Sequence, residues 1–168
     1  MISKQIDSFF ELPKVIYTEA KKTKLYKVED HPDHIDKNHR NTWPGLRSEE
    51  LGDVNPLFKY FIMKYLSLAN LDVRDKNVRL YVHARYANDM VEDFIHTDTY
   101  KYSLLIYLSE TNLNSGTKFF NLKDEVINDF KFIQNRLLFF DSRYRHTAYG
   151  HHGDSINNCR LTLNGFIK

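Results

Sequence analysis

The chain has 168 residues, 24 basic and 22 acidic, for a net charge of +2. That length can bury a sizeable core, and the near balance of charge lacks the basic footprint of a non-specific nucleic-acid binder. No apolar run approaches the roughly 20 residues of a membrane span, Met1 to Phe10 lacks the apolar stretch of a secretory signal, and the lone Cys159 excludes an internal disulfide, so the composition predicts a soluble cytoplasmic protein in a reducing compartment.

In chain order, Pro13 predicts the start of a short helix through Val15, Ala20 and Leu25, with a strand as the alternative because of its β-branched residues. His31 to Ser48 is polar and contains Pro32, Pro44 and Gly45, which predicts a long loop. Within it, Asn41 to Arg47 holds the only tryptophan. Trp43 and Arg47 are candidate substrate contacts, because an aromatic ring beside a guanidinium suits recognition; the alternative is a Trp that only covers the core. Pro56 to Leu71 carries apolar residues at Leu57, Phe58, Phe61, Ile62, Tyr65, Leu66 and Ala69. That spacing predicts a helix packed on a sheet, with Asn55 as its cap and Pro56 at its first position.

From Val78 the period changes to two. Val78, Leu80, Val82, Ala84 and Tyr86 alternate with Arg79, Tyr81, His83 and Arg85, predicting a half-buried strand. Tyr102 to Ser109 is a nearly continuous apolar run, suited to a strand covered on both sides. Ser115-Gly116-Thr117 predicts a turn feeding a strand at Lys118 to Asn121, and Leu137 to Phe140 predicts another buried strand. Arg160 to Lys168 predicts the last strand, with Arg160, Thr162 and Asn164 on one face and Leu161, Leu163 and Gly165 on the other. Many short strands, few helices and a wealth of Phe and Tyr predict a mainly β fold with supporting helices, a sandwich or jelly roll. One domain is expected, with residues 1–75 as support and 76–168 as the core.

His96 and Asp98 lie two residues apart between apolar strands, so an extended backbone puts both on one face. A distant histidine would complete two imidazoles and one carboxylate, the ligand set of non-haem Fe(II) that activates oxygen. His146, His151 and His152 are the candidates. His146 follows a buried strand, whereas Tyr149 to Asp154 reads as an exposed loop, which favours His146. His34-Ile35-Asp36 repeats the tripeptide near His39, but in a polar loop that cannot easily hold ligand geometry. Arg160 and Thr162, downstream on one strand face, suit an organic carboxylate; a structural salt bridge is the alternative.

Taken in order, these segments resemble the Fe(II)/2-oxoglutarate-dependent dioxygenases, and within them the prolyl-4-hydroxylase-like branch. Arg85-Tyr86 ahead of His96 resembles the family's R-Y pair, and Ser103 to Ser109 its T-x-x-x-Y-L-N strand. Ser115-Gly116-Thr117-Lys118-Phe119 resembles its G-G-T-x-F turn, Arg136 to Phe140 followed by His146 the segment bearing the distal histidine, and Arg160-Leu161-Thr162 its R-x-S/T element. Ser109 and Ser115 depart from that pattern, and the gap from His146 to Arg160 is somewhat long. The likeness runs from about Val78 to Ile167.

The resemblance implies a double-stranded β-helix, jelly-roll and cupin-like, with iron held by His96, Asp98 and His146. Arg160 and Thr162 would grip the far carboxylate of 2-oxoglutarate, assisted by Tyr107, with Tyr86 near its metal-bound end. The implied reaction is hydroxylation of a C–H bond, first of all in a protein or peptide side chain such as proline. It consumes O2, releases succinate and CO2, and uses ascorbate as a reductant. The alternatives in the same superfamily are a small-metabolite hydroxylase and a nucleic-acid demethylase. The latter branch carries a second arginine six residues after the first, where this chain has Phe166. A non-catalytic jelly-roll binding module is the alternative of another class.

Overall fold

The computed structural model describes residues 2–32, 43–71, 73, 78–89 and 93–168. His34, Asp36 and His39, and with them the second H-x-D tripeptide, lie outside the described residues, as do Asn41 and Thr42. The elements run β1 (Ile2–Ile6), α1 (Pro13–Lys21), β2 (Leu46–Arg47), α2 (Leu51–Val54), α3 (Pro56–Leu68), β3 (Val78–Arg85), β4 (Tyr102–Tyr107), β5 (Asn112–Phe120), β6 (Val126–Phe132), β7 (Leu137–Asp141), β8 (Arg145–Tyr149) and β9 (Arg160–Ile167).

The strands form two antiparallel sheets. The larger has the order β1-β7-β4-β9-β3-β2 and the smaller β6-β5-β8. Beside β8 the smaller sheet is extended by a single bridge, His96 to His146. This is the mainly β jelly roll with supporting helices that the alternating segments predict, arranged as the double-stranded β-helix that the resemblance implies. Among the described residues no helix is long and apolar enough to cross a membrane.

The helices cover one face of the larger sheet. In α3, Phe58, Ile62 and Leu66 recur every four residues and are buried. Asn55 caps the helix by accepting from the Phe58 N–H at 3.1 Å, and Pro56 supplies its first residue. The predicted apolar stripe is narrower than expected, because Leu57 and Phe61 stay exposed. In α1, Ile16 and Ala20 face the same core. That helix stops at Lys21 rather than Leu25, where the Lys22 and Thr23 N–H groups close tighter turns onto Glu19 and Ala20.

On β3, Val78, Leu80, Val82 and Ala84 join the core under the helices, with Leu161, Leu163 and Ile167 of β9. The opposite face of β3 is not open to water as the alternation predicts. Tyr81 and Arg85 are buried and His83 is half-buried: Arg47 and Phe166 lie against Tyr81, Pro44 O meets His83, and Asp89 and Asp93 meet Arg85. A second apolar cluster between the sheets joins Leu105, Tyr107, Phe119, Phe132, Leu138 and Phe140. The expected turn at Ser115-Gly116-Thr117 is instead the interior of β5, following an irregular register between Asn112 and Gly116. Three strands lack a strong sequence signal. β1 is an edge strand paired with β7, β6 is largely exposed, and β8 has only five residues.

Candidate metal centre and cofactor cavity

The bridge that extends the smaller sheet is also what aligns two imidazoles. His96 N–H donates to His146 O at 3.0 Å and His146 N–H donates to His96 O at 2.9 Å. Residues paired this way point to the same side of a sheet, and the two ring centroids are 4.4 Å apart. Two residues on, Asp98 N–H donates to Ser142 O at 2.9 Å, which keeps the segment extended. His96, Asp98 and His146 thus offer ligand atoms all within 4.8 Å of one another. Asp98 stands 3.9 Å from His96 Nε2 and 3.7 Å from His146 Nε2. These gaps are too long for hydrogen bonds, and one ion at bonds of about 2 Å suits them.

The ring nitrogens are already sorted. His96 Nδ1 lies 3.0 Å from Phe94 O and His146 Nδ1 lies 2.8 Å from Tyr144 O. A carbonyl only accepts, so each Nδ1 carries the proton and each Nε2 turns its lone pair inward. Burial pushes His146 down to about 4, against the pull of Asp98, so its imidazole is neutral at neutral pH. Asp98 Oδ2 accepts from Ser103 Oγ at 2.5 Å, and Ser103 Oγ is 2.7 Å from Ser142 Oγ. Such outer contacts fix the orientation of a ligating carboxylate. His151 and His152 go elsewhere. His151 Nε2 pairs with Asp93 at 2.6 Å, and His152 packs against Phe132.

The three donors line a cavity of about 480 Å³ whose floor is the inner face of β3 and β9. The register pairs Arg85 with Arg160, His83 with Thr162, Tyr81 with Asn164 and Arg79 with Phe166. Arg85 and Arg160 are both buried, whereas Arg79 is exposed and Phe166 half-buried, so the Arg85–Arg160 end is deep and the Arg79–Phe166 end is the mouth. The two opposed arginines differ sharply. Arg85 is ion-paired with Asp89 at 2.7 Å and with Asp93. Arg160 is 2% exposed and has no carboxylate within ion-pair distance among the described residues. One Nη donates to Gly116 O at 3.3 Å, and Nε has no hydrogen-bond partner among the described residues. Burial pushes its guanidinium pKa down. A buried unpaired cation is costly, so this position suits an anionic ligand. Gly116 is itself closely packed by β6 and β8: an added Cβ would overlap Phe130 O and crowd Tyr149 Oη.

Other expected residues are placed differently. Tyr107 lies beside Arg160, its ring centroid 5.8 Å from the guanidinium carbon, but its hydroxyl donates to Thr117 Oγ1 at 2.9 Å. Burial pushes that phenol up to about 12. Thr162 is fully buried and turns its hydroxyl to Asn164 Oδ1 at 2.8 Å, so Asn164 rather than Thr162 lines the cavity. Tyr86 packs on the core beneath the helices and does not line the cavity. Strand parity is the reason, since Arg85 points inward and its neighbour points out. Trp43 and Arg47 do line the cavity, together. His83, Ser103 and Asp93 were assigned no role from sequence. The alternation that groups His83 with Arg85 is the available signal for the first; Ser103 on β4 and Asp93 before His96 are brought in only by tertiary folding.

No family model matches the sequence, and no curated protein matches it either. Solved structures do. A prolyl-4-hydroxylase from Pseudomonas putida superimposes with a TM-score of 0.65 at 16% identity, over 98% of this chain and 91% of that one. The non-haem α-ketoglutarate-dependent epimerase SnoN from nogalamycin biosynthesis gives 0.65 at 9% identity, over 98% and 77%. A Trichoplax adhaerens prolyl hydroxylase, in complex with a peptide fragment of the hypoxia inducible factor oxygen degradation domain, gives 0.61 at 14% identity, over 98% and 82%. The chain has the fold of the 2-oxoglutarate–Fe(II) oxygenases. On that fold, the bridged histidines and Arg160, which has no carboxylate partner among the described residues, line one cavity.

Proposed function

We propose that this chain is an Fe(II)- and 2-oxoglutarate-dependent oxygenase that hydroxylates a C–H bond. The observation that carries the reading is a single cavity lined both by three convergent donors and by a buried guanidinium with no carboxylate partner among the described residues. The donor set of two Nε2 lone pairs and one carboxylate fits ferrous iron, with coordination positions left open. Arg160 fits the tail carboxylate of the keto acid. When bound, the iron and 2-oxoglutarate supply oxygen activation, with release of succinate and CO2. The chain itself holds three coordination positions through His96, Asp98 and His146. Ser103 orients Asp98, and Leu105 and Phe140 line the cavity with apolar surface that excludes water.

For the substrate, a protein or peptide side chain such as proline is the first choice, supported by the likeness to two prolyl hydroxylases, one with a bound peptide. A small metabolite is the second, supported by the likeness to SnoN. A polynucleotide fits least, given the net charge of +2 and Phe166 at the mouth. The one cysteine, buried and free, fits a reducing cytoplasm. The test is succinate release with Fe(II), ascorbate and 2-oxoglutarate, together with the absorption band that 2-oxoglutarate induces on anaerobic Fe(II) protein. Both are expected, and both are expected to vanish in His96→Ala and Asp98→Ala. Persistence of metal binding and turnover in those variants would overturn the reading and leave a non-catalytic jelly-roll module.

A further inference from the structure

Helix α3 is apolar on both sides. Phe58, Ile62 and Leu66 are buried in the core, while Leu57, Tyr60, Phe61 and Leu68 on the outward side are 65, 63, 47 and 69% exposed. A surface helix ordinarily turns charged and polar residues outward, but here only Lys64 and Ser67 interrupt the outward row. Leu57, Phe61, Lys64 and Leu68 follow one another at steps of four, three and four, the spacing of a coiled-coil seam. The Tyr60 and Phe61 rings meet edge to face with centroids 6.1 Å apart. Beside them Tyr60, Met63, Lys64, Ser67, Leu68 and Val73 line an open groove of about 340 Å³. None of these residues lines the metal cavity, which lies on the other face of the larger sheet.

The outward row is complementary to itself. Two α3 helices laid antiparallel, with a two-fold axis level with Ile62 and Met63, bring Leu57 against Leu68 of the second copy and Phe61 against its Lys64. Each contact then occurs twice, as an isologous interface requires. The ring of Phe61 enters the other copy's groove beneath the lysine ammonium, a cation–π contact, while the lysine stem covers apolar surface and its head stays in water. Lys64 also selects this arrangement, since one polar residue in an apolar seam fixes register. A parallel pairing sets Lys64 on Lys64, and sliding the antiparallel pair by one turn carries a leucine of each copy past the end of the other helix. At about 150–250 Å² for a large side chain, the four exposed residues leave roughly 450 Å² open on each copy. With the Lys64 stem and Ser67, a pair buries about 1,000 Å², the lower bound for a specific interface.

We propose that the outer face of α3 binds a second copy of this chain, the two helices pairing antiparallel through Leu57, Phe61, Lys64 and Leu68. The dimer is reversible, with a micromolar Kd matching the modest area, and both cavities stay open in it.

Sedimentation equilibrium of the full chain, from about 1 to 500 μM, should show a monomer–dimer equilibrium. The side chains concerned are exposed, so their substitution should leave the melting temperature unchanged and separate loss of pairing from loss of fold. Phe61→Lys sets two lysines against each other at both contacts and should weaken association by at least about tenfold, the scale of one lost aromatic anchor. Adding Lys64→Glu, which places opposite charges there, should restore part of it. Leu57→Cys combined with Leu68→Cys should close disulfides between copies under mild oxidation. Neither alone should, because like positions lie roughly 16 Å apart along the axis of this pairing, and a disulfide needs Cα atoms within about 7 Å. Cys159 is buried and takes no part. A monomeric mass throughout, a dimer indifferent to Phe61→Lys, or cross-linking of either single variant overturns the proposal. Monomer that binds vesicles of anionic phospholipid, and loses that binding in Leu68→Glu, would overturn it too, by making the row a membrane contact. Mass is read without iron or 2-oxoglutarate, so failure here leaves the oxygenase reading untouched.

Discussion

His96 and His146 are directly opposite each other in the smaller sheet, exchanging both of their backbone hydrogen bonds at 3.0 and 2.9 Å. Far apart in sequence, they are placed as neighbours by one antiparallel pair, and Asp98 joins them because it is two residues along the same extended segment. The geometry depends on backbone pairing as much as on the imidazoles.

Ser103 fixes the carboxylate of that set. Ser103→Ala removes the 2.5 Å hydrogen bond to Asp98 Oδ2 and leaves Ser142 Oγ without its neighbour. Metal affinity should fall by about 10–100-fold, the usual loss for an outer contact to a ligand, with little change in melting temperature. Competition titration with a chelating dye measures it, and an unchanged affinity would mean that Asp98 is held by something else.

The two opposed arginines should respond in opposite ways. Arg85→Met removes the buried cation that pairs with Asp89 and with Asp93, leaving Asp93 only His151 as an ion-pair partner among the described residues, and should destabilise the protein by about 3 kcal/mol. Arg160→Met removes a buried cation without a carboxylate partner among the described residues. It should leave the ligand-free protein as stable as before, or more so, while abolishing the 2-oxoglutarate-induced band. Urea unfolding of both variants, with and without 2-oxoglutarate, decides the matter, and a large loss in ligand-free Arg160→Met would reveal a structural role.

Gly116 sits where β5 meets both β6 and the guanidinium of Arg160. Gly116→Ala would drive a methyl group into Phe130 O and should cost about 1–3 kcal/mol through forced backbone shifts. Because Gly116 O is an acceptor for Arg160, the variant should also weaken 2-oxoglutarate binding. Thermal unfolding and the Fe(II) band, recorded on one preparation, test both effects.

Acid should weaken the fold through His83. Burial pushes this imidazole from 6.5 down to about 3, its hydrogen bond with Pro44 O opposes that, and Arg160, Arg47 and Arg85 add to it. The unfolded chain therefore takes up a proton that the folded one refuses. Stability is unaffected above about pH 6.5 and declines as pH falls from there toward 3, by at most about 1.4 kcal/mol per pH unit. His83→Gln should flatten this decline between pH 6 and pH 4. Parallel slopes in urea unfolding series of the two proteins would show that His83 is not the group responsible.

The architecture was legible where a local period carries it. The two faces of β9 followed from alternation alone, as did the Asn55 cap and the proline start of α3, because side-chain direction on a strand and the opening of a helix are set by adjacent residues. β6 and β8 were not legible, since an exposed edge strand and a five-residue strand bury too little to pattern their sequence. The turn expected at Ser115-Gly116-Thr117 failed for a related reason: its glycine answers to crowding by β6 rather than to a reversal of the chain. Tyr86 is instructive. Its alternation with Arg85 already placed it on the apolar face with Val82 and Ala84, against the role that the resemblance implied, and the folded strand follows the alternation.

The sequence by itself determined that His96 and Asp98 share a side and that Arg160 faces away from Leu161, because the pleat of an extended backbone permits nothing else. Only the tertiary structure decided which of three histidines meets them, which of two opposed arginines is left without a carboxylate partner among the described residues, and that Arg47 rests against Tyr81 at the cavity mouth. Those outcomes depend on register between distant strands and on loops folding over them, and such long-range pairings leave no period in the chain to be read.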